Sequence, residues 1–298
     1  MIVKVSRVAV VCHDAGGAEI LSSWLLRSHD LCSVVAAGPA VGIFDRKCIG
    51  SERLCLTEAI TRCDWVLCGT GASGFELQAI KLGKQQGKTT IAFLDHWVHY
   101  KERFQDDDGS FSFPDEIWVG DDYAHSIAEE EFPNIPIKSQ INPYFDDLRS
   151  VFLNIESNKP LTSKISILYV CDPVRNHAYK KYGDELHWGY TEESALTYFL
   201  ENIESLRLDI ALITIRPHPS ENLDKYQWAK ALAPGIINFG GDKTLVQEMI
   251  DADVVVGCES MAMVVGLLAG KRVISCIPPG SHPLRLPQAE IEKLHELI

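Results

Sequence analysis

An arginine and a histidine separated by proline follow an apolar stretch in the second half of the chain. The stretch Ile213–Ile215 predicts the end of a buried strand, and Arg216-Pro217-His218-Pro219 comes directly after it. Proline restricts φ and thereby directs the side chains beside it. Arginine can grip a phosphate through two parallel hydrogen bonds, and histidine can hydrogen-bond a phosphate oxygen or protonate a leaving group. We therefore predict that Arg216 and His218 contact a phosphate.

A second apolar stretch further along the chain ends in a carboxylate and a hydroxyl. Gly257-Cys258-Glu259-Ser260 joins a predicted strand to a helical pattern. A serine hydroxyl and the first N–H groups of a helix can hold phosphate oxygens, and Glu259 can accept hydrogen bonds from a ribose. In the simpler interpretation Ser260 only caps the helix. Asp172 follows another predicted strand, and we assign it to the same nucleotide-binding edge.

The first half of the chain opens with a strand that ends in a polar, glycine-containing turn. Arg7–Cys12 is followed by His13-Asp14-Ala15-Gly16-Gly17 and an amphipathic helix. Gly16 and Gly17 let a ligand approach the backbone, and a His–Asp pair can supply a general base for a sugar hydroxyl. The alternative is that Asp14 simply caps the helix. The turn lacks the GxGxxG pattern, which disfavours a dinucleotide-dependent oxidoreductase.

Two further strand ends in the first half carry residues suited to substrate binding. The loop Cys68–Phe75 repeats the strand–glycine–helix arrangement, and we predict that Gly71 and Ser73 contact an acceptor or a phosphate, or else only form a tight turn. It lacks the Gly-Lys-Ser/Thr ending of an ATP-binding loop. Asp95 closes the next strand and is a second candidate base. Its alternative role is an ion pair with Arg103.

These candidate residues all follow strands in an alternating strand and helix pattern, which predicts parallel α/β sheets. Turn-forming residues gather at Ile155–Ser163, and the pattern then restarts. We predict two Rossmann-like domains, 1–156 for the acceptor and 163–298 for the nucleotide sugar, facing a central cleft between the carboxyl edges of their sheets. The predicted strands are Arg7–Cys12, Ser33–Ala37, Trp65–Cys68, Thr90–Leu94, Glu116–Val119, Ile165–Val170, Ile210–Ile215, Ile236–Phe239, Val254–Val256 and Arg272–Ser275.

Composition narrows the classes of function. The 298 residues are 46% hydrophobic and 23% charged, as in a globular protein. The net charge of −13 disfavours nucleic-acid binding. No apolar run predicts a transmembrane segment and the N-terminus has no secretory pattern, so we expect a cytoplasmic protein. The nine cysteines form no CxxC pair and are expected to be reduced, and no zinc signature occurs. The apolar Met261–Leu268 suits either the core or a homo-oligomer contact.

With these residues placed, the chain resembles glycosyltransferases of the GT-B architecture, and more closely the bacterial sialyltransferases and Kdo transferases. His218-Pro219 is similar to the His-Pro motif of that group, and Glu259-Ser260 to its downstream serine motif. The resemblance implies a metal-independent inverting transferase of surface-polysaccharide synthesis that needs no cofactor. Its donor would be a nucleotide sugar, CMP-linked by preference or UDP-linked, and its acceptor a glycan. The resemblance implies an acidic base in the N-terminal domain, with Asp14 as first choice and Asp95 as second.

Two other interpretations keep the same fold. One is an enzyme similar to a UDP-N-acetylhexosamine 2-epimerase, which would use carboxylates and histidines as acid–base groups and eliminate UDP. The other is a non-catalytic subunit that binds a nucleotide or scaffolds a glycan-assembly complex. The first predicts turnover of UDP-GlcNAc, and the second predicts nucleotide binding without turnover.

Overall fold

The computed structural model describes residues 5–48, 50–71, 73–155 and 164–298 of the chain. It divides into two compact units, Met1–Asp147 and Leu148–Ile298. Of the predicted linker Ile155–Ser163, residues 156–163 lie outside the described residues. Within the described part of the chain, no helix is both long enough and apolar enough to cross a membrane.

Unit 1 contains one parallel sheet of seven strands in the order β3-β2-β1-β4-β5-β6-β7. Its first strand is central, because β1 pairs in parallel with both β2 and β4. The last helix, α6, runs across the division between the units. The elements are β1 (Arg7–Cys12), α1 (Ala15–Leu25), β2 (Leu31–Ala36), α2 (Ala40–Lys47), β3 (Glu52–Arg53), α3 (Leu56–Arg62), β4 (Trp65–Cys68), α4 (Phe75–Gln85), β5 (Thr89–Leu94), β6 (Glu116–Val119), α5 (Asp122–Glu131), β7 (Ile137–Ser139) and α6 (Pro143–Asn154).

Unit 2 repeats this plan with six parallel strands in the order β10-β9-β8-β11-β12-β13. Here too the first strand is central, between the second and fourth strands of the unit. The elements are β8 (Ile165–Val170), α7 (Val174–Tyr182), α8 (Glu192–Glu201), β9 (Ile210–Arg216), α9 (Ala229–Leu232), β10 (Ile237–Phe239), α10 (Leu245–Asp251), β11 (Val254–Gly257), α11 (Met261–Leu268), β12 (Arg272–Ser275), β13 (Glu292–Lys293) and α12 (Leu294–Leu297).

The central strands are mostly apolar because helices cover both faces of a parallel sheet. Five consecutive residues of β1, Val8 to Cys12, are fully buried. In unit 2, alternate residues of β8 such as Ile167 and Tyr169 pack into one core with Phe199 of α8. This burial holds the carboxyl ends of the central strands side by side. In each unit that edge has a topological switch point, where such sheets bind ligands.

The ten predicted strands are all present, with bounds that differ by a few residues at most, whereas several short elements escaped prediction. The missed elements are the strands β3, β7 and β13 and the helices α2, α3, α7 and α12; β3 and β13 have only two residues each, too few to show periodicity. The sequence pattern also predicts one helix over Glu192–Ser205, but this helix ends at Glu201, where the Asn202 side-chain amide donates to the Tyr198 carbonyl and a 3₁₀ turn follows. The sequence therefore predicted ten of the strands and missed several short strands and helices.

Candidate functional site

The β1–α1 turn places a histidine and a carboxylate at the switch point between β1 and β4. His13 Nδ1 lies 2.6 Å from Asp14 Oδ1. Asp14 stands at the N-cap position of α1, but its side chain makes no capping hydrogen bond. The capping alternative for Asp14 is therefore wrong: the carboxylate holds the imidazole instead. Such a pair can receive a proton from a hydroxyl.

Three predicted glycines bring the surrounding loops into contact at this point. A β-carbon on Gly71 would lie 2.8 Å from the Asp14 carboxyl carbon, and one on Gly16 would lie 2.4 Å from Asp95 Oδ2. A β-carbon on Gly17 would lie 3.1 Å from Cys12 Sγ and 3.3 Å from the Gly69 α-carbon. Without side chains, these loops leave both aspartates at one sheet edge. Ser73 lies apart from them, where its Oγ accepts a hydrogen bond from Phe75 N–H at the start of α4.

Asp95 occupies a different chemical setting from Asp14. Its Oδ1 accepts hydrogen bonds from Arg103 Nη1 at 2.9 Å and from the Thr70 hydroxyl at 3.2 Å. Arg103 also donates to the Thr70 carbonyl, so it ties the β4 and β5 loops together. The side chains of Asp95 and Arg103 are only 13% and 17% exposed. The structure thus forms the ion pair that was the alternative for Asp95, which favours a positioning role over that of a base.

Beneath this edge lies a buried carboxyl group that the sequence analysis did not single out. Glu76, in the first turn of α4, is 3% exposed, and its Oε1 accepts the His13 backbone N–H at 2.7 Å. Burial raises the pKa of Glu76, and nearby Asp14 acts in the same direction. Among the described residues, Glu76 Oε2 has no hydrogen-bond partner. Glu76 therefore holds the turn that carries His13 and Asp14.

At the switch point of unit 2, between β8 and β11, three predicted residues meet. The Glu259 backbone N–H points at Asp172 Oδ2 at 3.5 Å, and Ser260 follows at the N-cap of α11. Ser260 Oγ accepts the Ala262 N–H, so Ser260 caps α11 as the simpler interpretation required. Burial raises the pKa of Asp172 to about 7.

His218 lies beyond β9 at the same edge, and the groups around its ring determine which ring nitrogen carries the proton. The Ser220 backbone N–H donates to Nδ1 at 3.2 Å, and the Ser220 hydroxyl lies 2.7 Å from the same nitrogen. Burial lowers the pKa of His218, as does His177, whose ring centroid is 6.4 Å away. A neutral ring that accepts at Nδ1 carries its proton at Nε2. His218 therefore offers an N–H donor at Nε2.

The Arg216 guanidinium is bound by residues other than those around His218. Its Nη1 lies 2.6 Å from Glu248 Oε2 and donates to the Lys243 carbonyl at 3.0 Å. Glu248 is buried, and its other oxygen accepts the Gly241 N–H. These contacts give Arg216 a structural partner beside β10. Its contact with a phosphate stays a prediction.

Further residues at this edge were missed by the sequence analysis. Glu259 forms a two-point ion pair with Arg285, whose guanidinium lies 5.2 Å from the Trp188 ring centroid. His177 lies on α7, a helix that the sequence analysis did not predict. Because α7 begins after Pro173 and lacks an apolar stripe, its only sequence signal was its position after a strand. Among the described residues, no group of three or more histidine, cysteine or acidic side chains could hold a metal ion.

Comparisons with known proteins bear on the fold. No protein-family model matches the chain, and no curated protein matches it by sequence. The UDP-GlcNAc 2-epimerase from Neisseria meningitidis bound to UDP-GlcNAc is similar with a TM-score of 0.58 at 10% identity, over 90% of this chain and 82% of that one. The glycotransferase of kitacinnamycin is similar with a TM-score of 0.52 at 12% identity, over 95% of this chain and 83% of that one.

The fold is shared. Two parallel α/β units, each with a central first strand, confirm the predicted α/β, GT-B-like fold class. At such low identity the likeness establishes the fold alone. The reaction depends on the residues at the two sheet edges.

Proposed function

We propose that this protein is a glycosyltransferase that moves a sugar from a nucleotide-activated donor to a glycan acceptor. The observation that carries the proposal is the Nε2–H donor of His218 at the carboxyl edge of unit 2, beside the Ser260-capped start of α11. A neutral donor of this kind stabilises negative charge that develops on a departing phosphate. The fold shared with a glycotransferase supports the same proposal.

In the proposed reaction the acceptor hydroxyl gives its proton to the His13–Asp14 pair and attacks the anomeric carbon. The bond from that carbon to the phosphate oxygen breaks, and the nucleotide leaves with the electron pair. His218 and Ser260 hydrogen-bond the leaving phosphate, while Asp95, held by Arg103, keeps the acceptor loops in place. Because attack comes from the side opposite the leaving group, the configuration inverts. This step needs no metal ion.

The finer proposal names the donor as a CMP-sugar of the sialic acid or Kdo type, used in bacterial surface-polysaccharide synthesis. It rests on the likeness of His218-Pro219 and Glu259-Ser260 to the motifs of that group. Glu259 would then accept hydrogen bonds from the ribose while Arg285 fixes its orientation. UDP-sugars are the second choice of donor.

Calorimetric titration with CMP, CDP, UDP and GDP tests the proposal, using the wild-type protein, His218→Ala and the control His29→Ala, which alters an exposed histidine of unit 1. We expect one nucleotide to bind and His218→Ala to weaken it by about 10–100-fold, the value of a hydrogen bond to a charged group. Turnover should fall by about 10²–10³. Unchanged turnover in a correctly folded His218→Ala protein would refute the mechanism.

A 2-epimerase reaction is the second candidate, favoured by the higher TM-score of the Neisseria meningitidis epimerase. Such an enzyme would use His13, Asp14 and the carboxylates of unit 2 as acid–base groups. Incubation with UDP-GlcNAc separates the two reactions. ManNAc or free UDP formed without an acceptor favours the epimerase, whereas release of nucleotide only in the presence of a glycan favours the transferase.

A further inference from the structure

We infer that His177 is a second phosphate ligand of unit 2 and that it holds the leaving phosphate together with His218. His177 lies near the start of α7, outside the residues assigned to the proposed reaction. The inference rests on the proposed function, since it concerns the same site. It adds a second N–H donor to that site, carried by a different segment of the chain.

The two histidines lie at the same sheet edge because they follow neighbouring parallel strands. His177 comes after β8 and His218 after β9, and these strands pair in parallel. The centroids of the two rings are 6.4 Å apart, and the ring planes form an angle of 78°. Because an N–H···O hydrogen bond spans about 2.9 Å, one phosphate group can reach a nitrogen of each ring. The two rings are therefore spaced to hold a single phosphate.

Each ring keeps a nitrogen that the protein does not occupy. In the part of the chain that the structure describes, no protein group hydrogen-bonds the His177 ring, and Ser220 bonds only Nδ1 of His218. Burial and nearby Lys180 lower the pKa of His177, and burial and His177 lower the pKa of His218. A neutral imidazole carries one N–H and one lone pair. Both histidines can therefore donate to a phosphate oxygen without first losing a protein partner.

An ion-pair network ties the two histidine-bearing segments together. The Lys225 ammonium binds the carboxylates of both Glu192 and Glu221. Glu192 also accepts the Arg175 backbone N–H near the start of α7, at 2.8 Å. The Glu221 backbone N–H donates to the His218 carbonyl at 2.8 Å. The network thus holds α7 against the loop after β9, and the pairing of both glutamates with Lys225 reduces their repulsion of a phosphate.

The test measures CMP and UDP affinity by calorimetry at pH 7.5 in the wild-type protein and in variants of His177. His177→Ala should weaken binding of the preferred nucleotide by about 10–100-fold, the value of a hydrogen bond to a charged group. His177→Gln, whose amide keeps an N–H donor, should bind at least about threefold more tightly than His177→Ala. His295→Ala, which alters an exposed histidine of α12 in the same unit, should behave as wild type.

A second measurement uses the wild-type protein and so protects the test against misfolding of His177→Ala. Proton NMR follows the ring resonances of His177 and His218, assigned by their loss in His177→Gln and His218→Ala, over a pH titration with and without CMP or UDP. A phosphate held by both rings should raise both pKa values by about 1 or more. A response of His218 alone, or wild-type affinity in His177→Ala, overturns this inference and leaves the proposed function standing. Failure of wild type to bind either nucleotide overturns both.

Discussion

The two sheet edges have the same topology and opposite chemistry. In each unit an aspartate lies two residues after the central first strand, Asp14 after β1 in unit 1 and Asp172 after β8 in unit 2. The Asp14 side chain is 40% exposed and holds His13. Asp172 accepts the Glu259 backbone N–H, and burial raises its pKa to about 7. The position of the strand in the sheet therefore decides where the carboxylate lies. The side chains around the carboxylate decide whether it is suited to act as a base or as an acid.

The cations at the two edges differ as well. In unit 1, Arg103 binds Asp95 and thereby joins the β4 and β5 loops. In unit 2, Arg285 and Lys225 neutralise glutamates, and the donors assigned to the phosphate are the imidazole of His218 and the Ser260 hydroxyl. In the proposed reaction this contrast matches an edge that handles a hydroxyl and an edge that handles a phosphate.

The largest expected effect is on turnover, from Asp14→Asn. Removing the proton acceptor should lower kcat by about 10²–10⁴. Nucleotide affinity should stay within about twofold of wild type, because the nucleotide is assigned to unit 2. Steady-state kinetics and calorimetry check both, with Asp45→Asn at an exposed ion pair of unit 1 as control. A normal kcat in Asp14→Asn would move the base to Asp95 and break the proposed contrast between the edges.

The next effect is on stability, from Arg216→Met in unit 2. It leaves Glu248, whose side chain is 7% exposed, without its ion-pair partner. We expect the free energy of unfolding to fall by about 3–5 kcal/mol, measured by chemical denaturation. Arg53→Met, at an exposed pair with Asp45, should cost less than about 1 kcal/mol. A small loss of stability with a tenfold loss of nucleotide affinity would instead assign Arg216 to the phosphate.

The smallest effect is expected from Gly16→Ala in unit 1. The added β-carbon would lie 2.4 Å from Asp95 Oδ2, so the Asp95–Arg103 pair has to shift. We expect a destabilisation of about 1–3 kcal/mol. Gly42→Ala, in α2 with no atom within 4 Å of the new carbon, should stabilise by about 0.5–1 kcal/mol. Equal melting temperatures for both variants would mean that the packing of Gly16 against Asp95 is looser than this distance indicates.

Much of the fold and part of the site were predictable from the sequence. Long apolar strands such as β1 and β8 are visible in the sequence because burial on both faces demands continuous hydrophobic residues. Polar residues directly after such strands, including Asp14 and His218, could be assigned to the carboxyl edges by the same reasoning. His177 and Arg285 could not, because a short helix and an irregular loop carry no periodic signal.

The sequence by itself determined the α/β class, the strand ends and the residue types placed there, because hydrophobic periodicity and the alternation of strands and helices are local properties of the chain. Only the tertiary structure decided which of those residues share a hydrogen bond. It paired Asp95 with Arg103, paired Arg216 with Glu248, and placed the Glu259 N–H against Asp172. Charge and protonation depend on partners that are distant in sequence, because electrostatic energy follows distance in space and burial.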